Sequence, residues 1–244
     1  MKLLVVFGSL SDSSTYEPLL EKLKALGQCQ FEIISAHRDP NTLRHCLKNS
    51  SYDAVVAGAG LAAHLPGVIA SITDKAVMGV PVMANFGGLD SLMSIQQMPF
   101  GVPVISAPPR HPEEIVRFID LWQNSKEESI TGREINLMIP EGLAGKPQFL
   151  KETARAKEYA VQKKIGLHVV EDFHAGSNPT IVLTNSGAHV HRNRFCIHVP
   201  VLDDREKNDP GHAMELFNLV NNGGVWVGVN NTRNAMIAMR KLFT

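Results

Sequence analysis

Three things are missing from this chain, and each absence closes off a class of function. There is no excess of charge: 24 lysines and arginines balance 24 aspartates and glutamates over 244 residues. That removes the electrostatic footprint expected of a partner for nucleic acid or an anionic membrane surface. There is no cysteine framework either. Cys29, Cys46 and Cys196 are an odd number with no C-x-x-C and no Cys/His ligand spacing, so free thiols in a reducing cytoplasm are expected rather than disulfides or a zinc site. Nor is there a long apolar run. The opening "MKLLVVFGS" turns polar at once, too soon for a signal segment or a membrane span, and reads as a first buried strand. These absences leave a small-molecule partner as the expectation.

What is present is alternation. "KLLVVF", "FEIIS", "DAVVAG" and "AVMGVPVM" are short apolar, β-rich runs, separated by segments of helical period such as "YEPLLEKLKAL", "PNTLRHCLKN" and "PGVIASIT". Such alternation predicts βαβ units, hence a doubly wound α/β fold with a parallel sheet between helices. Near residue 125 the composition shifts to "NSKEESITGRE", a charged and polar surface linker. It divides the chain into expected domains over 1–125 and 133–244. After it come "EINLMIP", a helix over "FLKETARAKEYAVQKKIG", then the strands "LHVVEDF", "TIVLTN" and "FCIHVPVLD".

The two series match each other in pattern. "FEIISAHR" lies opposite "LHVVEDFHAG", pairing His37 with His174. "VVAGAGLAAH" lies opposite "IVLTNSGAHVH", pairing Gly60 and His64 with Gly187 and His191, and "GLDSLMSIQQMPFGVPV" lies opposite "HAMELFNLVNNGGVWVG". A shared order, spacing and Gly/His punctuation point to a tandem duplication.

Open α/β sheets bind ligands beyond the carboxyl ends of their strands, and three loops of the first half fall there. "GSLSD" offers Gly8 for a tight turn, the hydroxyls of Ser9 and Ser11, and Asp12 at a helix start. That set suits a phosphate and sugar hydroxyls, and it equally suits an ordinary helix N-cap. "SAHRDP" gathers Ser35, Ala36, His37 and Arg38. Arg38 carries a donor fork for phosphate and the His37 imidazole can shuttle a proton; the same loop could simply cap the helix that begins at Pro40. "GAGLAAHLPG" brings Gly58, Ala59, Gly60, Leu61 and Ala62, whose mostly small side chains allow close approach to the backbone, followed by His64. That histidine either does chemistry or packs.

Together, "GSLSD", "SAHRDP", "GAGLAAHLPG", "VMGVPV" and "GLDSLMSIQQMPFGVPV", five ordered motifs in about the first 105 residues, resemble the PurE family of purine biosynthesis. That family comprises N5-carboxyaminoimidazole ribonucleotide mutases and aminoimidazole ribonucleotide carboxylases. The resemblance implies a flavodoxin-like three-layer α/β sandwich, here in tandem, with sites built between the subunits of an octamer. It implies that Ser9, Asp12 and Arg38 bind the ribose phosphate and that His37 is the general acid and base. The "GAGLAAHLPG" loop, with His64, would line a closed pocket for carbon dioxide. The implied chemistry needs no metal and no organic cofactor. Leu61 stands where the family usually has glycine, and Phe86 is an unusual residue in a loop that looks short.

The second half has "PEGLAG", "DFHAG" and "NSGAHVHRN" where the first has its three loops. The serine, aspartate and arginine are gone, so His174 and His191 are expected to be structural. The closing "GVWVGVNNTRNAMIAMRKLF" resembles the family's last strand, glycine turn and helix, with Ala235, Met236, Ala238, Met239 and Leu242 as apolar positions. In the family that helix packs on a neighbouring subunit. Fusing two units predicts a homotetramer of tandem units with one competent site per chain. Two other functions fit the residues: a related carboxylase acting on another phosphorylated ring, such as a nicotinic acid dinucleotide, and a subunit that binds a nucleotide or supports assembly without turnover.

Overall fold

The computed structural model describes residues 1–61, 63–127, 133–173 and 178–244. The first half runs β1 (Lys2–Phe7), α1 (Ser13–Leu26), β2 (Gln28–Ile33), α2 (Pro40–Asn49), β3 (Ala54–Ala59), α3 (Leu65–Ile72), β4 (Ala76–Pro81), α4 (Leu89–Gln96), β5 (Ile105–Ser106) and α5 (Glu114–Glu127). Its strands lie in the order β2-β1-β3-β4-β5, all parallel. β1, β3 and β4 are buried along almost their whole length, which is why they read as continuous apolar runs rather than alternating ones. Leu4, Val6, Val55 and Val77 face Leu43, Leu47, Leu65 and Ile69 in one cluster, and Leu3, Val5, Val56 and Met78 join Leu19, Leu23, Phe118 and Trp122 in another. A sheet with helices on both faces results.

The second half runs β6 (Glu134–Met138), α6 (Pro147–Lys163), β7 (Gly166–Val170), β8 (Thr180–Thr184), β9 (Cys196–Pro200), α7 (Asp204–Asn208), α8 (Pro210–Val220) and α9 (Thr232–Lys241). Its order is β7-β6-β8-β9, again parallel, the same winding as β2-β1-β3-β4. The tandem α/β expectation is met by two parallel sheets flanked by helices, with one face of the second less fully covered. Residues 185–195, between β8 and β9, contain no helix, and neither do the described residues between β7 and β8. Among the described residues no counterpart of α2 or α3 is found, and on that face Met138, Val182 and Cys196 form a small cluster with Val170 and Phe173.

Trp226 joins the two sheets. It pairs antiparallel with Ser106 and parallel with His198, with Ser106 N–H donating to Trp226 O at 2.7 Å and Trp226 N–H to Ser106 O at 2.9 Å. On either side the bonding is matched: Ala107 N–H donates to Gly79 O at 2.9 Å and Val227 N–H to His198 O at 3.0 Å. The halves thus meet edge to edge about a local dyad, and one continuous core runs from Leu3 and Trp122 to Leu137, Phe149, Met236 and Met239.

This arrangement also changes the role of the closing helix. Ala235, Met236, Ala238, Met239 and Leu242, expected against a neighbouring subunit, are each at most 2% exposed within the single chain. Asn234 clamps the same helix to the first half, donating to Pro99 O at 2.9 Å and accepting from Gly101 N–H at 2.9 Å. Its apolar face is already filled, so it makes no demand for a second chain.

Candidate active site

β1, β2 and β3 end side by side where the strand order reverses, and their loops enclose a cavity of about 490 Å³. Gly8, Ser9, Ser11 and Asp12 line it from β1, Ser35, Ala36, His37 and Arg38 from β2, and Ala59, Gly60, Leu61 and His64 from β3. All the sequence candidates are therefore gathered there except two. Gly58 lies just beneath: its carbonyl accepts from Gly8 N–H at 3.1 Å, and a side chain on it would overlap the Phe7 ring. Ala62 lies outside the described residues, as does His174.

Each loop is shaped by local bonding. Ser9 caps a short 3-10 turn, its hydroxyl oxygen accepting from Ser11 N–H at 3.2 Å and from the Ser11 hydroxyl at 2.8 Å. Asp12 follows, 8% exposed; burial pushes its carboxyl above the usual range, offset in part by bonds from the Ser11 hydroxyl and the Ser9 backbone. In the β2 loop, Ser35 Oγ accepts from Arg38 N–H at 3.3 Å and Asp39 caps α2 through Thr42 N–H at 3.1 Å. The capping expectation thus holds for Asp39 and leaves His37 and Arg38 free to face the cavity. Arg38 Nη2 reaches across to donate to Gly8 O at 3.3 Å, which sets a guanidinium beside two hydroxyls and a carboxyl.

His37 and His64, from different loops, come together. Nε2 of one and Nδ1 of the other are 3.1 Å apart and the rings meet edge to face at 83°. One imidazole must donate to the other, so each fixes the other's tautomer and a proton can pass between them. Both rings are solvent-exposed. Leu65 and Ala84 complete the wall and were not among the sequence candidates. Ala84 follows β4, and the rule that ligands sit at strand carboxyl ends would have pointed to it. A side chain on Gly60 would lie 3.2 Å from the Ala84 side chain, so the two loops meet closely at that point.

The corresponding ends of the second sheet are built differently. His198 is fully buried, its Nε2 accepting from His191 N–H at 3.1 Å and its Nδ1 donating to Val225 O at 3.1 Å. Burial pulls its pKa down to about 3, so it is a neutral strut. His191 stacks on it, 5° from parallel, and is also held below the usual range, chiefly by burial. Arg192 pairs with the buried Glu114, which also accepts from Gly224 N–H at 3.1 Å, and Arg194 lies over the Phe173 ring. Among the described residues no group of three or more His, Cys, Asp or Glu could hold a metal ion, and no helix is long and apolar enough to cross a membrane.

A parallel α/β sheet whose switch point gathers an arginine, hydroxyls and two hydrogen-bonded histidines has the chemistry to take an anionic small molecule and to pass a proton, which fits the class of α/β enzymes acting on small molecules. Comparison narrows the class. The model of the family described as AIR carboxylase matches residues 2–108. An N5-carboxyaminoimidazole ribonucleotide mutase of Methanocaldococcus jannaschii is 38% identical over 162 residues, covering 66% of this chain and 95% of that protein. A mutase of the same name from Saccharolobus solfataricus is 44% identical over 108 residues, 42% of this chain and 68% of that one. The chloroplastic phosphoribosylaminoimidazole carboxylase of Vigna aconitifolia is 47% identical over 105 residues, 41% of this chain and 19% of that one. This chain belongs to the AIR carboxylase, or PurE, family of enzymes.

Proposed function

We propose that this enzyme acts as an N5-carboxyaminoimidazole ribonucleotide mutase in purine biosynthesis, moving a carboxylate from the exocyclic nitrogen to the ring carbon. The observation that carries this reading is the His37–His64 pair, 3.1 Å apart in the cavity that also holds Arg38, Ser9 and Asp12, in a chain whose relatives bear that name. Arg38 and the hydroxyls take the ribose phosphate, since a guanidinium fork beside hydroxyls and turn N–H groups matches its oxygens.

The carbamate C–N bond breaks with its electron pair going to nitrogen, which takes a proton from the protonated His37 imidazole. The electron-rich ring carbon then forms a bond to the freed carbon dioxide, and the proton displaced from that carbon returns to the imidazole. The net change is an isomerisation, with no proton gained or lost. His64 holds the tautomer of His37. The cavity contributes by keeping carbon dioxide near the ring carbon, which turns recapture into an intramolecular step.

In this reading the second half is a degenerate copy that retains the sheet and has given up the site; its matching strand order and the dyad at Trp226 support the duplication. The chain would work in the cytoplasm as a tetramer of fused units, assembling through surfaces other than the α9 apolar face. The direct test is to supply the purified protein with the N5-carboxylated nucleotide and follow the carboxylate at the ring carbon. Binding of the nucleotide, seen as thermal stabilisation without product, would instead favour a non-catalytic subunit. No stabilisation at all would favour a different phosphorylated ring.

A further inference from the structure

A second cavity, of about 580 Å³, lies apart from the one that holds the histidine pair. It opens between α4 of the first half and α7 and α8 of the second, so both halves are needed to form it. Its walls are apolar and soft: Met93, Met98, Leu202, Leu216 and Val229. Gly228 lets the backbones of the two halves meet there, since a side chain on it would overlap the Gln96 carbonyl. Three carboxamides share these walls, Gln96, Gln97 and Asn231, and the protein orients two of them. Asn231 Nδ2 donates to Met98 O at 3.0 Å. Gln96, 4% exposed, donates from Nε2 to Ser106 Oγ at 2.9 Å, while the Ser106 hydroxyl gives its own proton to Trp226 O at 3.3 Å. A carbonyl can only accept and that hydroxyl has already donated, so both amide nitrogens are committed to the protein. What remains is a pair of amide oxygens, Gln96 Oε1 and Asn231 Oδ1, without partners among the described residues. The Gln97 side chain has no partner among them either. The charged groups at the rim, by contrast, are taken up. Glu206 accepts from Asp203 N–H at 2.7 Å, Asp209 accepts from Gly211 N–H at 2.9 Å, and Lys207 pairs with Asp204 at 2.6 Å.

We propose that this junction cavity binds a neutral heteroaromatic base that carries an amino group. Apolar and thioether walls suit the faces of a planar ring. Fixed amide oxygens whose nitrogens are already bonded select a ligand that brings N–H groups, and an amino-substituted ring such as adenine supplies them at its edge. An anion gains nothing here, because Glu206 and Asp209 stand at the rim against Lys207 alone, and that lysine is already paired. The site is independent of the mutase reading, since no residue lining it lines the active cavity.

The test is a calorimetric titration of the full chain with adenine and with purine, the same ring without its amino group, on wild type and three variants. Ala213→Trp fills the junction cavity, Gln97→Leu keeps its volume and removes an unbonded amide, and Ala84→Trp fills the active cavity instead. Adenine should bind saturably to wild type and to Ala84→Trp, about fivefold more weakly to Gln97→Leu, the scale of one hydrogen bond, and not to Ala213→Trp. Purine should bind wild type about tenfold more weakly than adenine, because it leaves a buried acceptor unmatched. Should Ala213→Trp fail to fold, as its Tm would show, Gln97→Leu and the purine comparison decide alone. Absence of saturable adenine binding to wild type overturns the proposal. So does binding that Ala84→Trp abolishes while Gln97→Leu and Ala213→Trp keep it, which would put adenine in the active cavity. Equal affinity for adenine and purine removes the selection assigned to the amide oxygens, and the proposal falls with it.

Discussion

The two halves of the chain share a frame and differ in what covers it. In the first half α2 and α3 lie across one face, and Asp39 and Pro40 at the start of α2 and His64 and Leu65 at the start of α3 fix the loops that carry the site. In the second half neither helix has a counterpart among the described residues. The same face is closed by loops in which His191 stacks on His198, Phe173 meets His191 and Cys196 is sealed beneath. The strand order survives because it is held by the shared core on the other face, where α1 with α5 and α6 with α9 lie along one continuous apolar layer. The comparison teaches that assembly and chemistry draw on opposite sides of the sheet. One face can be stripped of helices without disturbing the edge at which the halves join.

The most damaging break in this comparison is at the shared edge. Trp226 is fully buried, touches the His198 ring at 4.7 Å between centroids, and donates from Nε1 to Gly223 O at 2.8 Å. Trp226→Ala should cost about 3–5 kcal/mol, the usual range for a buried tryptophan, and a urea titration read separately on each half should show both losing structure at the same midpoint. A first half that keeps its original midpoint would mean the halves are independent.

Next comes the contrast between equivalent loops. His37→Asn should lower the rate at least about a hundredfold while leaving nucleotide binding intact, because a positioned acid–base group contributes on that scale. His191→Asn, in the loop matched to that of His64, should leave the rate within about twofold, in steady-state assays on both variants, as it touches only structural partners. A smaller step follows at Arg38. Its exposed guanidinium supports no core, so Arg38→Ala should leave Tm unchanged and weaken nucleotide binding by about 1.5–3 kcal/mol. Calorimetry with the phosphorylated compound and with its nucleoside gives the check: the loss should appear only for the first.

Much of this contrast was legible beforehand. The first half could be read because its strands are buried on both faces, giving uninterrupted runs, and its loops place several polar groups within a few residues of one another. Twelve candidate positions there line one cavity. What could not be read was tertiary. The pairing of His37 with His64 depends on two loops 27 residues apart being brought level by the parallel register of β1, β2 and β3. The closing helix looked like an assembly surface because its apolar face is plain in sequence, whereas what fills it lies within the same chain: α6, β8 and β9 of its own half, with β4 of the first. The barer face of the second half, where the described residues hold no counterpart of α2 or α3, was hidden by apolar runs that fit strands equally well with or without them.

The finest test of the comparison uses pH. His198 in the folded chain is neutral down to about pH 3, because burial opposes its charge, reinforced by nearby His191 and His189. In the unfolded chain a histidine takes a proton near pH 6.5. Between those values the unfolded state binds the extra proton, so the stability that His198 contributes is complete above about pH 6.5 and is lost as pH falls toward 3, by about 1.4 kcal/mol per pH unit. Nothing in the first half supplies a fully buried histidine of this kind; His37 and His64 are open to solvent. Urea midpoints for wild type and His198→Gln, compared at pH 7 and pH 5, should therefore converge as the pH falls: the variant starts less stable and loses less. Parallel curves would show that His198 takes up a proton in the folded state as readily as in the unfolded one, and the second half would then no longer differ from the first in burying a neutral imidazole.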